Sequence, residues 1–330
     1  MYYADKLDSL RRLFASEEIA LEADALVVAG RRYPVVDDVI VLLDPAQYPP
    51  SLRRRLQPRE ETARLRDFSP DIQFSFGAEW QKFSEILPDH QKEFTEYFDL
   101  IDVSRLQNAT VCDLGCGIGR WSYFLKDRCR ELVLVDFSEA IFVARRNLAG
   151  APRALFFMGD LTRLPFRDDF CDFLFCLGVL HHLPRPALEE LRRLKRFAPM
   201  LLIYLYYALD NRPFYFRLVL GVVTPVRWLV SRVKFASFRS IFTWVVALGA
   251  YVPLTLLGRA LRPFGLAKLV PLYAHYHDKS VQRIRQDVYD RFFTTIEQRF
   301  TRREILTLAD TFATVRVSEG QPYWHFVCLR

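Results

Sequence analysis

The sequence predicts an α/β protein built on a mostly parallel sheet with helices on both faces. Three observations carry this. Between residues 110 and 206, short β-branched or apolar runs (Thr110–Leu114, Leu132–Asp136, Ala154–Met158, Asp172–Leu177, Met200–Leu205) alternate with amphipathic stretches of helical length, the signature of βαβ units. These runs end in, or lead into, acids and glycines, where a parallel sheet presents its functional loops. Last, Thr314–Val317 and Tyr323–Leu329 flank Glu319-Gly320 as a terminal hairpin.

The flanking elements follow in order. Residues 1–50 read as a small module: a helix-like start, then the strand-like runs Ala25–Val28 and Val35–Leu43 around Gly30-Arg31-Arg32. Residues 51–72 read as a linker, because prolines crowd the stretch from Pro45 to Pro70 around Arg53-Arg54-Arg55. Helical patterning from Phe74 to about Leu100 opens a core unit spanning 73–210. Residues 211–272 form an apolar, basic, helical insertion, and 273–330 complete the core. There Thr301-x-x-Glu304 has the form of a capping box before the helix Thr301–Asp310.

Composition narrows the class. With 330 residues, 51% hydrophobic and 26% charged, the chain is neither a disordered tail, nor collagen-like, nor a disulfide-stapled mini-protein. Its six cysteines form no C-x-x-C pair and read as reduced core residues. The first thirty residues carry acids and lack a basic-then-apolar leader pattern, so a cytoplasmic location is expected. The net charge of +7 is local: residues 211–270 hold nine Lys or Arg and no Asp or Glu, leaving the rest slightly acidic.

The strongest local signal is Val111-Cys112-Asp113-Leu114-Gly115-Cys116-Gly117-Ile118-Gly119-Arg120. A strand ending in an acid meets three alternating glycines and then opens a helix. Glycines there let the backbone turn sharply and approach a ligand closely. A second strand ends in Asp136, placed to accept hydrogen bonds from ribose hydroxyls. A third ends in Gly159-Asp160, and a fourth runs into Gly178-Val179-Leu180-His181-His182.

In order and spacing, DLGCGIGRW, VLVDFSEA, FMGDLTRLPFRDDFCD and CLGVLHHL resemble the class I S-adenosylmethionine-dependent methyltransferases of the small-molecule, type 11 kind. The resemblance covers roughly 73–206 and the terminal hairpin. It implies a Rossmann-like, seven-stranded, mostly parallel sheet with an antiparallel last strand, and S-adenosyl-L-methionine as cofactor without a metal. It further implies that Asp113, Gly115, Cys116, Gly117 and Gly119 surround the methionine part and ribose, and that Asp136 holds the ribose hydroxyls. Phe137 would lie against the adenine. Asp160 and the Leu161 backbone would meet the adenine amino group, and Leu177 and Gly178 would line the methyl-bearing end. Residues 26–43 resemble the second half of a Trm112-like zinc-ribbon module. No cysteine precedes Cys112, so four-thiolate zinc is impossible in that region and a metal-free relic is expected.

Methyl transfer to oxygen needs a base beside an aligned, water-poor site. His181 and His182 are candidates for that base, with loop packing as the alternative. Tyr204, Tyr206, His275 and His277 are candidates for an acceptor pocket, with core packing as theirs. The insertion contains Ile241–Leu257, seventeen uncharged residues, at the short edge of a membrane span. Its aromatic, acid-free, basic composition fits helices lying on an anionic membrane surface, a lid over the pocket, or a homodimer face. Nucleic acid is not expected, because the arginines sit among Leu, Val and Phe. These readings predict a methyltransferase for a hydrophobic or lipid-linked small molecule, oxygen being the favoured acceptor. A catalytically silent cofactor-binding scaffold is the rival.

Overall fold

The computed structural model describes residues 1–58, 69–233, 235–319 and 323–330. The expected turn at Gly320 and part of the expected linker lie outside them. The described strands are β1 (Ile19–Leu21), β2 (Ala25–Val28), β3 (Arg31–Val36), β4 (Val39–Val41), β5 (Thr110–Leu114), β6 (Glu131–Asp136), β7 (Ala154–Met158), β8 (Phe173–Leu177), β9 (Met200–Leu205), β10 (Thr314–Val317) and β11 (Trp324–Leu329). They join one sheet in the order β1-β2-β3-β4-β7-β6-β5-β8-β9-β11-β10. Strands β5 to β9 run parallel, while β11 is antiparallel to both β9 and β10. The seven strands from β7 to β10 in that order are the α/β sheet with an antiparallel last strand expected from the sequence.

The front residues extend this sheet. β1 to β4 form an antiparallel meander, and β4 pairs parallel to β7 through Ile40 and Phe157. The single run expected over Val35–Leu43 is broken into two strands. Asp37 (φ 48°) and Asp38 (φ 61°) both adopt left-handed backbone, the geometry of a two-residue hairpin turn that aspartates tolerate. The proline-rich stretch also differs from a plain linker, since Pro50–Leu56 is helical. Pro50 stands at the first helical position, where no N–H is needed, and Arg53, Arg54 and Arg55 complement the negative C-terminal end.

The helices are α1 (Leu7–Phe14), α2 (Pro50–Leu56), α3 (Pro70–Lys82), α4 (Pro88–Tyr97), α5 (Ser122–Leu125), α6 (Ala140–Asn147), α7 (Ala187–Leu194), α8 (Phe214–Val230), α9 (Ala236–Val246), α10 (Val252–Leu261), α11 (Tyr273–Tyr276), α12 (Val281–Phe293) and α13 (Arg302–Leu306). Strand alternation divides the core into two layers. Val133 and Val135 of β6, with Leu174 and Cys176 of β8, pack with α1, α7 and Ile305. Leu132 and Leu134, with Phe173 and Phe175, pack with α4 and α6. All six cysteines are buried free thiols.

The insertion is a helical hairpin seated on α12. A π-helical segment, Ala247–Tyr251, joins α9 to α10, giving a continuous helix from Ala236 to Phe264 of 29 residues, long and apolar enough by length and composition to cross a membrane. Ala247 and Tyr251 pack on Ile284, Val288 and Phe293, with Phe242 and Val246 beside them. Arg239 is buried in this contact, donating to the Tyr289 hydroxyl (3.0 Å) and the Val233 carbonyl (2.7 Å).

Candidate active site

A cavity opens where the five parallel strands end, as parallel sheets require. Its floor is Gly115, Cys116 and Gly117 after β5, Asp136 and Phe137 at the end of β6, Gly159, Asp160 and Leu161 after β7, and Leu177, Gly178 and Val179 at the end of β8. Beyond them stand Tyr204, Tyr206, Tyr207 and His182. Two helices close it. Ile72, Phe76, Glu79 and Trp80 come from α3, and Arg283, Gln286, Asp287, Asp290 and Arg291 from α12.

The glycine turn is built tightly. Gly115 has φ +81°, and a Cβ there would fall 2.4 Å from Val179 Cγ2. The Gly117 N–H donates to Asp136 Oδ2 (2.8 Å), and Ser138 donates its N–H (2.8 Å) and hydroxyl (2.7 Å) to Oδ1. Asp136 is thus fixed by local donors, and Oδ2 keeps a lone pair for a ligand hydroxyl. Asp160 is held alike, by Thr162 on Oδ1 and by the Gln47 side chain on Oδ2 (2.9 Å). Gln47 comes from the front of the chain, and Gln73 of α3 ties its carbonyl to that of Phe137. Two strand-end carboxylates with spare lone pairs, separated by the apolar Phe137 and Leu161, fit an adenosine group.

Not every expected cofactor residue reaches the cavity. Asp113 and Gly119 stand behind its wall. Asp113 accepts the Ser122 hydroxyl at 2.6 Å, and burial pushes its carboxyl up to about 7, Asp136 adding to the shift. Gly119 lets the loop close on α6, since a Cβ there would meet Leu148 at 2.5 Å.

The expected acceptor-side residues separate similarly. Tyr204, Tyr206, His182 and His275 line the cavity; His181 and His277 do not. His181 is buried, stacks on the Tyr206 ring at 3.9 Å between centroids, and has no hydrogen-bond partner at either ring nitrogen among the described residues. His277 turns back to the Tyr273 carbonyl (3.2 Å). His182 has a defined arrangement: Nδ1 lies 2.7 Å from the Ile296 carbonyl, which can only accept. In the neutral ring Nδ1 therefore carries the proton and Nε2 offers a lone pair. Nε2 is 3.9 Å from Asp290 Oδ1, and the Tyr206 hydroxyl donates to Asp290 Oδ2 at 2.6 Å. Burial lowers the His182 pKa, against the pull of Asp290.

The polar stripe of α12 is the main part of the cavity lining that is not among the expected site residues. Arg283, Gln286, Asp287, Asp290 and Arg291 recur at helical spacing on one face. The opposite face, Ile284, Val288 and Phe292, meets the insertion. Asp287 is paired with Arg283, accepts the Tyr276 hydroxyl (2.8 Å) and lies 3.6 Å from His275 Nε2. Burial opposes its charge, yet Arg283 and His275 hold its carboxyl well below the usual range.

Comparison with known proteins places this geometry. Residues 111–198 match the family model described as a methyltransferase domain. A demethylmenaquinone methyltransferase of Clavibacter sepedonicus is 37% identical over 94 residues, which are 28% of this chain and 38% of that protein. The chain thus matches less than half the length of that curated relative. Similar solved structures include a SAM-dependent methyltransferase from Aquifex aeolicus (23% identity, 40% of this chain and 73% of that one, TM-score 0.32). Another is the magnesium protoporphyrin IX methyltransferase of Synechocystis with bound SAM (21% identity, 44% and 80%, TM-score 0.36). Residues 111–198 form a methyltransferase domain.

Proposed function

We propose that this chain transfers the methyl group of S-adenosylmethionine to an oxygen of a hydrophobic or lipid-linked small molecule at an anionic membrane surface facing the cytoplasm. The observation carrying the reading is that one cavity joins the strand-end acids Asp136 and Asp160 to a chamber holding Tyr206, Asp290 and the lone pair of His182. When bound, the cofactor supplies an electrophilic methyl on sulfur. The chain's part is to hold the acceptor in line, keep water out and take the acceptor's proton at His182 Nε2. Asp290 then offsets the charge that develops on the imidazole.

The membrane part rests on the insertion. Eighteen of the twenty-three large apolar side chains exposed among the described residues lie within 211–270, so the apolar exposure is one patch rather than scatter. Exposed Arg217, Arg232, Arg259, Arg262 and Lys268 surround it without an acid. Charge of one sign beside aromatic and aliphatic surface suits anionic lipid. The relative from Clavibacter sepedonicus, named for a small-molecule acceptor, is in keeping with this reading. We further read residues 26–43 as a cysteine-free relative of a Trm112-like module, now serving as sheet edge.

The test is methyl-labelled S-adenosylmethionine with purified protein and a total cell extract, followed by solvent partition. Label in the organic phase, lost in His182→Gln, supports the reading. Aqueous label would make the insertion a lid. Cofactor binding with no label in any fraction would favour the silent scaffold.

A further inference from the structure

Glu79 is a buried acid with no assigned task. Its residue is 2% exposed, it lines the cavity, and its Oε1 has no hydrogen-bond partner among the described residues. Leaving a buried polar atom unpaired is costly, so its persistence in the cavity wall points to a partner that arrives with a ligand. The position narrows that partner. On α3, Phe76, Glu79 and Trp80 share a face at spacings of three and four. Phe76 meets the His182 ring at 5.3 Å, while the Trp80 indole lies against Gly117, 3.3 Å from where a Cβ would be. Glu79 therefore sits between the glycine turn and the acceptor end, where the methionine part of the cofactor belongs. That part carries two cationic groups, the α-ammonium and the sulfonium.

The surroundings suit a cation that enters rather than a resident one. Asp287, Asp290, Arg283 and Tyr289 face Glu79 from α12, and Arg120 faces it from the end of the glycine turn. His182, His275, Arg291, Asp136 and Asp160 complete the titratable lining. Arg283 is committed to Glu93 (2.9 Å) and Asp287, and Arg120 lies over the Trp80 and Trp121 rings. Burial, reinforced by Asp290, holds the Glu79 carboxyl well above its ordinary range, which favours the protonated acid in the free protein. A cation set beside it reverses that balance.

We propose that Glu79 receives the cationic methionine end of S-adenosylmethionine and releases its proton to solvent as the cofactor enters. This rests on the cofactor reading above. The proton leaves the carboxyl oxygen for buffer, and the resulting carboxylate faces the cation. The sign follows: the free protein binds one proton more than the complex, so affinity rises with pH while Glu79 is protonated in the free form, up to about tenfold per pH unit.

The test is titration calorimetry of the full chain with S-adenosylmethionine and with S-adenosylhomocysteine, near neutral pH, in two buffers of different ionisation enthalpy. Release approaching one proton per ligand is expected for the wild type. Glu79→Gln should bind tenfold or more weakly, release no proton and lose the pH slope, with its thermal transition showing that it folds. Release with both ligands assigns the α-ammonium, and release with S-adenosylmethionine alone assigns the sulfonium. Wild-type binding without proton release, or release that survives in Glu79→Gln, overturns the proposal while leaving the cofactor reading intact. If neither ligand binds, both readings fall.

Discussion

The floor of the cavity and the helical insertion use the same residue types to opposite ends. In the floor, glycines are fixed by their surroundings: Gly115 takes a left-handed backbone and abuts Val179. Acids there are fixed by protein donors, as Asp136 is by Gly117 and Ser138, and keep spare lone pairs. In the insertion, Gly221 and Gly249 face open space, and arginines stand exposed beside Trp228, Phe235 and Phe264. An enclosed region tells what it binds through its own hydrogen bonds. An open one tells only through the surface it leaves unpaired, so its reading depends more heavily on what is brought to it.

The sharpest break in this comparison comes from Gly115→Val. A branched side chain at φ +81°, pointed into Val179, must displace the turn that supplies the Gly117 N–H. Cofactor affinity should fall at least a hundredfold by calorimetry, while vesicle binding through the insertion is unchanged. Loss of both together would mean that the two regions are not separable.

Next come His182→Gln and Asp290→Asn. Each should slow methyl transfer by about 10²–10⁴, the range for a positioned general base and its partner, with cofactor affinity changed less than threefold. The pH dependence sharpens the assignment. Burial lowers the His182 pKa despite Asp290, so the ring stays neutral below the usual imidazole range. The acid limb of the rate profile should therefore fall below pH 6.5, and Asp290→Asn should move it lower still. A limb centred above the ordinary histidine value would transfer the base role elsewhere.

These two experiments also mark where the sequence was readable. Asp136, Asp160 and the glycine turn are marked locally: strand, acid and glycines follow one another in the sequence, although the partners that fix them, Gly117 for Asp136 and Val179 for Gly115, come from other segments. The Thr301 capping box is local in its partner too, since Glu304 donates its N–H to the Thr301 hydroxyl at 3.2 Å. Gln47 and Asp290 have no such mark. Gln47 reaches Asp160 across 113 residues, and Asp290 meets Tyr206 across 84. A lone glutamine near prolines, or an acid on an amphipathic helix, carries no sign of such a partner. The two histidines show the limit most plainly. Adjacent in sequence, His182 faces the cavity and His181 packs behind it, because the 3₁₀ turn Leu180–His182 sends neighbouring side chains in different directions.

A smaller effect tests the open region. Replacing Trp228, Phe235, Ile241 and Phe264 by serine removes apolar surface that is 59%, 77%, 64% and 74% exposed. Such side chains contribute little to the fold, so the thermal transition should stay within a few degrees. Binding to phosphatidylglycerol vesicles should weaken at least tenfold, since each side chain withdrawn from lipid forfeits on the order of 1 kcal/mol. Unchanged vesicle binding would remove the membrane from the reading and leave a lid or a second copy of the chain as the occupant of the patch.

The smallest effect carries the comparison to a single atom. A Cβ at Gly221 meets nothing within 4 Å, and the residue sits inside α8 with ordinary helical backbone. Alanine there should stabilise the protein by roughly 0.5–1 kcal/mol through reduced unfolded-state freedom and better helix propensity, read as a slightly higher midpoint in urea. Cofactor affinity should not move. The same one-carbon addition at Gly115 collides with Val179, so the sign of the stability change separates the two regions. If Gly221→Ala gained stability but lost vesicle binding, the open space around that glycine would be where the membrane makes close contact. If it lost stability in solution, α8 would be packed against something in the free protein, and the patch would belong to a second copy of the chain.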